Sequence, residues 1–146
     1  MTDEDFNIYD LSVDDFLSYA SDLDAKIELR GLFRDDFKED YKFLIEVCRL
    51  DDYNEVVRKT RDAADECQEE INRLTECKHK IDNLFQSLPN PDHSELLTKR
   101  YLEGKQWGEI AKEMAYTIPG IKTKNKSAIK ALDAKLDEIR GSNDNR

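Results

Sequence analysis

NPDHSELLTKRYLEGKQWGEIAKEMAYTIPGIKTKNKSAIKAL, residues Asn90 to Leu132, decides how this chain reads. Its punctuation divides it into three helices. The first spans about Asp92 to Leu102, with Asn90 or Asp92 as its cap, Pro91 in its first turn and Gly104 just past its end. Asp92 and Glu95 also have the spacing of a capping box. The second helix spans about Gln106 to Met114. The third starts after Thr117, a good N-cap, carries Pro119 in its first turn and continues towards Arg140.

Each helix has one apolar face. Leu96, Leu97 and Tyr101 share a face of the first, Trp107, Ile110, Ala111 and Met114 of the second, and Ile121, Ala128 and Leu132 of the third. The small Ala111 at mid-helix permits close approach of a neighbour. Together these features predict a helix-turn-helix with its last helix presented outward.

RYLEGKQWGEIAKEMAYTIPGI resembles the DNA-binding fourth region of sigma factors. With Trp107 and a long preceding helix, it is closer still to phage-encoded regulators of the ArpU-like group. Arg100, Tyr101, Glu103, Gly104, Glu109, Ile110, Ala111, Ile121 and Ala128 stand where that pattern expects them, over roughly a third of the 146 residues. Ala115 replaces the usual turn glycine. Ile118, Pro119 and Gly120 replace polar or basic residues, and Asn125 stands where related proteins often carry leucine. The resemblance implies a sequence-specific transcriptional regulator, phage-encoded, acting in the cytoplasm of a bacterial host.

The charge pattern of the third helix points the same way. No acidic residue lies between Ala115 and Leu132, and Lys122, Lys126 and Lys130 follow at steps of four on one face. Those lysines, with Lys124, suit phosphates flanking a major groove. Thr123, Asn125 and Ser127 suit base edges, Asn by bidentate pairing to adenine. Lys99, Arg100 and Lys105 are candidates for backbone contacts. Asp133, Asp137 and Glu138 follow closely and oppose phosphate. The expected partner is double-stranded DNA.

Upstream the chain changes character. Charged and hydrophobic residues each make up 38% of it, and the net charge is −10. Asn90–Arg146 has 11 basic and 9 acidic residues, whereas Met1–Pro89 has 12 and 24. That imbalance suggests two jobs, with the acidic half contacting RNA polymerase or another protein. Few glycines and prolines and no alternating β-branched runs predict an all-α fold. The expected organisation is an acidic helical N-terminal region (1–50), a long coiled-coil-like helix (51–89) and the helix-turn-helix domain (90–146).

Met1–Leu11 reads as a mostly disordered lead with Phe6 and Tyr9 as docking side chains. Ser12 then caps a helix to Leu29 or Arg30, which Gly31 breaks. A second helix, Leu32–Leu50, carries Phe33, Phe37, Tyr41, Leu44 and Cys48 on one face. Asp51 caps the next. From Val57 to Leu88 a heptad holds: Val57, Ala64, Ile71, Lys78 and Phe85 at one seam position, Thr60, Cys67, Leu74, Ile81 and Leu88 at the other. This predicts either a homodimer through residues 57–88 or a long helix packed within its own chain. The tail from Gly141 reads as frayed.

Catalytic and metal chemistry find no residue set. Cys48, Cys67 and Cys77 have no metal-ligand spacing and read as free thiols of a reducing cytosol; Cys77 and His79 lack two further ligands. There is no glycine-rich phosphate loop and no nucleophile in context, so no enzyme, cofactor or metal is expected. No apolar run suggests a signal peptide or membrane span. A second function class stays open: a non-enzymatic protein-binding module, a host-factor binder or acidic DNA mimic, that keeps the helix-turn-helix as scaffold.

Overall fold

The structure, a computed structural model, describes residues 6–144. The described residues form helices joined by short turns, with no strand among them, which establishes the all-α fold. After a single 3-10 turn at Ile8–Asp10 come α1 (Val13–Glu46), α2 (Glu55–Gln86), α3 (Pro91–Leu97) with a π-helical turn at Thr98–Leu102, α4 (Trp107–Met114) and α5 (Ile118–Asp144). By contact the chain forms two compact units. One holds the residues up to Asp22 together with those from Cys77 onward; the other is Leu23–Glu76.

The second unit is a helical hairpin. The expected break at Gly31 does not occur: α1 is one helix of 34 residues. A mid-helix glycine costs only about 1 kcal/mol, and helix formers surround this one, so it interrupts nothing. The real break is at Arg49, which adopts a left-handed conformation (φ 59°). It lets Leu50 N–H return to Leu44 O at 3.0 Å and close the helix end. Asn54, not Asp51, caps α2: its Oδ1 accepts from Val56 N (2.9 Å) and Val57 N (3.3 Å). Asp51 instead accepts from Tyr53 N within the turn. Across the hairpin Arg34 Nη1 donates to Gln68 Oε1 at 2.8 Å, and Tyr41 Oη donates to Asp52 at 2.6 Å.

The heptad seam of this unit is buried in the single chain. Val57, Ala64, Cys67 and Leu74 are all in the core, Ile71 is half-buried, and the Thr60 hydroxyl is satisfied by Val56 O at 2.8 Å. Within this unit the seam is thus covered by the chain itself, the intramolecular packing that its heptad spacing allows. Of the cysteines, Cys67 is buried, Cys77 half-buried and Cys48 exposed.

The first unit is built around α5, which packs on α3, on α4 and on the 3-10 turn. Its core contains Ile8, Phe16, Leu17, Ala20, Ile81, Phe85, Leu96, Leu97, Ile110, Ile121, Leu132 and Leu136. Phe16 meets Phe85 edge-on at 6.4 Å. The N-terminal lead is docked from residue 6 on, while the expectation for Met1–Asp5 lies outside the described residues. Ile8 is its buried anchor, the Phe6 ring meets that of Tyr19 at a tilt with centroids 5.3 Å apart, and Arg140 Nη1 donates to Leu11 O at 3.0 Å. Nor does α5 fray at Gly141; it reaches Asp144.

Two backbone positions in this unit need left-handed geometry. Gly104 (φ 70°) ends the π turn, with Glu103 N–H on Thr98 O and Lys105 N–H on Lys99 O. Ala115 (φ 61°) makes the turn between α4 and α5, where Tyr116 N–H returns to Ala111 O at 2.8 Å. A Cβ in this region costs roughly 1–2 kcal/mol. Three substitutions are therefore expected to stabilise the protein by about 1 kcal/mol each: Arg49→Gly and Ala115→Gly supply the residue that the left-handed turn favours, and Gly31→Ala adds a methyl at ordinary contact distance from Arg34. Urea midpoints measure this; a loss of stability in any of the three contradicts the account of that site.

Candidate nucleic-acid interface

The entry to α3 positions everything after it. Asn90 Oδ1 accepts from Asp92 N at 3.0 Å, so Asn90 is the cap, and Pro91 fills the first helical position. Buried Ser94 donates to Phe85 O at 2.7 Å, tying α3 to the last turn of α2. Asp92 makes no capping box with Glu95. Its carboxylate instead accepts from Tyr116 Oη at 2.9 Å and lies 3.8 Å from Lys124 Nζ. That hydrogen bond raises the Tyr116 pKa, and it links the start of α3 to the turn preceding α5. Burial, then the charge of Lys124, lowers the His93 pKa, which favours the neutral imidazole.

The N-terminus of α5 is closed as its sequence predicts. Thr117 Oγ1 accepts from Gly120 N at 3.1 Å. A Cβ on Gly120 would sit 2.9 Å from that oxygen, so glycine here keeps the cap close. Ile121, Ala128, Leu132 and Leu136 face inward.

The ten candidate contact residues fall into two groups. Lys122, Thr123, Lys126, Ser127 and Lys130 are exposed on the outer face of α5. None of these three lysines has an ion-pair partner among the described residues. The Thr123 hydroxyl donates to Pro119 O at 3.1 Å, which leaves it an acceptor.

The other five serve the fold. Asn125 is buried on the inner face, where its Nδ2 donates to Tyr101 Oη at 3.2 Å. It follows Ile121 by four residues and precedes Ala128 by three, which places it in the apolar stripe and away from any base edge. Lys124 is turned towards Asp92. Lys99 and Lys105 both bind Glu113, each at 2.8 Å. Arg100 donates to Lys105 O at 3.0 Å, and its guanidinium lies 4.4 Å from the Trp107 ring centroid. Glu113, with hydrogen bonds from Lys105 and then Lys99, has its carboxyl held below the ordinary glutamate range, and the same bond raises Lys105. Nothing in the composition singled out Glu113 or Ser94. For Asn125 the signal was present, as a polar residue at a leucine position.

Asn125→Ala is expected to lose roughly 1–3 kcal/mol of stability by leaving the Tyr101 hydroxyl without its buried partner, while Lys126→Ala stays within about 0.5 kcal/mol. Equal effects in chemical denaturation would return Asn125 to the surface group. For Glu113 the depressed folded pKa means stability present at neutral pH and lost as pH falls through the folded value. Glu113→Gln should therefore show a smaller fall in melting temperature between neutral pH and about pH 3 than the parent; parallel melting curves would contradict the ion-pair cluster.

No known protein family, no curated protein and no solved structure matches this chain.

Proposed function

We propose that this protein is a non-enzymatic, sequence-specific DNA-binding transcriptional regulator, phage-encoded, that reads the major groove with the helix starting after Thr117. The observation carrying this reading is the outer face of α5. Three cations without ion-pair partners among the described residues, Lys122, Lys126 and Lys130, alternate there with the hydroxyls of Thr123 and Ser127 on a helix held from behind by α3 and α4. Cations at helical spacing suit two phosphate rows, and of the hydroxyls between them Thr123, whose proton goes to Pro119 O, can accept from base edges while Ser127 can accept or donate. With Asn125 buried, base reading falls to Thr123 and Ser127 rather than to an adenine-pairing amide.

The test is a titration of labelled duplex DNA from the gene's own neighbourhood across salt concentrations. Binding should prefer one fragment and weaken steeply with salt. The double variant Lys122→Ala/Lys126→Ala, folded by circular dichroism, should reduce the log–log salt slope by about two, close to one per lysine removed. Unchanged affinity in that variant would refute the interface. No binding at low salt by the folded parent would favour the helix-turn-helix as scaffold for a protein partner, a reading that gains from the engagement of Lys99, Arg100, Lys105, Lys124 and Asn125 within the fold.

A further inference from the structure

Within the Leu23–Glu76 unit, α1 is apolar on two sides. One side holds buried Leu23 and half-buried Ile27, Phe37, Tyr41 and Leu44, at the three-to-four spacing of a face that packs in the hairpin. The other is left in solvent. Leu29 is 50% exposed, Leu32 58%, Phe33 43%, Phe43 54% and Val47 64%. Positions 29, 33, 36, 40, 43 and 47 recur at steps of four and three, so they form one lengthwise face, with Leu32 beside it. Val47 N–H bonds to Phe43 O at 2.9 Å, which keeps Val47 in helical register. Phe33, which its spacing groups with Phe37, Tyr41 and Leu44, stands on the border where this stripe adjoins the packed face, and a solvent-facing stripe that includes two phenylalanines is a feature of interaction surfaces.

We propose that this face docks an amphipathic helix whose apolar side is bordered by lysine or arginine. The charge around the stripe selects that occupant. Asp36 and Asp40 hold its two middle positions, and Glu28, Glu39 and Glu46 are exposed along one edge, where Asp35 is paired with Arg34 at 3.0 Å. No lysine or arginine stands at any of the six lengthwise positions. A second copy of this chain is disfavoured by the same residues. The stripe is symmetric end for end about Lys38, with Leu29 answering Val47, Phe33 answering Phe43 and Asp36 answering Asp40. Antiparallel self-pairing would therefore bring two carboxylates from each copy together at the dyad. A basic helix fills the apolar ends and neutralises the centre, a helix-in-groove mode with its specificity in the charges. The inference does not rest on the DNA-binding reading.

The probe is a labelled synthetic helix of leucine and lysine only, leucines along one face, long enough to span Leu29 to Val47. Its binding to the full chain is followed by fluorescence anisotropy. A peptide of identical composition with leucines spread evenly around the helix, and a leucine–glutamate counterpart, should each bind at least about tenfold more weakly. Phe33→Ser/Phe43→Ser, with an unchanged circular dichroism spectrum, should weaken the probe by about tenfold or more. Asp36→Asn/Asp40→Asn should weaken it and lessen its salt dependence. Equal affinity for the two leucine–lysine arrangements, or no effect of either double variant, would overturn the proposal. So would a chain that sediments as a dimer and is dissociated by Phe33→Ser/Phe43→Ser, because the second copy would then be the occupant.

Discussion

The burial of one stripe of α5, Ile121, Ala128, Leu132 and Leu136, against α3 and α4 is the contact on which the rest of the first unit depends. A helix has a single azimuth. Once those four side chains face inward, every other residue of α5 has its exposure assigned. Lys122, Lys126 and Lys130 go out, and Asn125 goes in. Residues along the border, such as Lys124, meet whatever the neighbouring helices offer. The two ends of α5 are then secured separately. Thr117 and the left-handed Ala115 fix where it starts, while Arg140, holding Leu11 O, brings the N-terminal lead onto its far end.

The same geometry divides the basic residues by role. Lys99, Arg100 and Lys105 cluster in sequence and look like an extension of the cationic surface. Their partners are a carboxylate on α4, a carbonyl and an indole face. The cluster ties the π turn and the loop after Gly104 to α4, so its value lies in holding α4, and through α4 the inner side of α5. Exposed ion pairs contribute little singly. Here two lysines converge on one glutamate with all three side chains partly covered, an arrangement that sets geometry more than it adds stability.

Much of this was legible in the residues, and the failures have physical reasons. Helix ends marked by local chemistry were readable: Ser12, Asn90, Gly104 and Thr117 act within three or four residues of themselves. So was the heptad seam of α2, whose period belongs to the helix alone. The Gly31 break failed because propensity is a small term that a long helix overrides. The cap at Asp51 failed because Asp and Asn serve turns and helix ends alike: Asp51 takes the Tyr53 amide within the turn, and Asn54 takes the Val56 and Val57 amides that open α2. Four expected contact cations, Lys99, Arg100, Lys105 and Lys124, are engaged within the fold because a cation's partner, as in Lys99 with Glu113, can sit fourteen residues away, a distance that spacing rules do not reach. Asn125 was the exception. Its helical phase with Ile121 and Ala128 already placed it inside, and its hydrogen-bonding capacity drew it into the base-reading set.

The carboxylates that follow the cationic face bear on whether that face can work. Asp133, Asp137 and Glu138 follow Lys130 by three, seven and eight residues, and on sequence alone they oppose phosphate. In the structure Asp137 accepts from Arg140 at 2.7 Å, and Glu138 lies 3.8 Å from Lys135. Two of the three thus carry their own counter-charge, and the unbalanced repulsion reduces to Asp133. A paired carboxylate presents a dipole whose field falls off faster than that of a bare charge, and at physiological ionic strength the remainder is screened over about 8 Å. The N-terminal half of α5 therefore keeps a locally positive outer face even though the chain as a whole is acidic at −10. Net charge governs long-range encounter with a polyanion, whereas contact affinity depends on charges within a Debye length. For this chain those two quantities have opposite sign, so a nucleic-acid complex would form slowly at low salt compared with a basic protein bearing the same three lysines, while the contacts, once made, would be set by Lys122, Lys126 and Lys130 themselves.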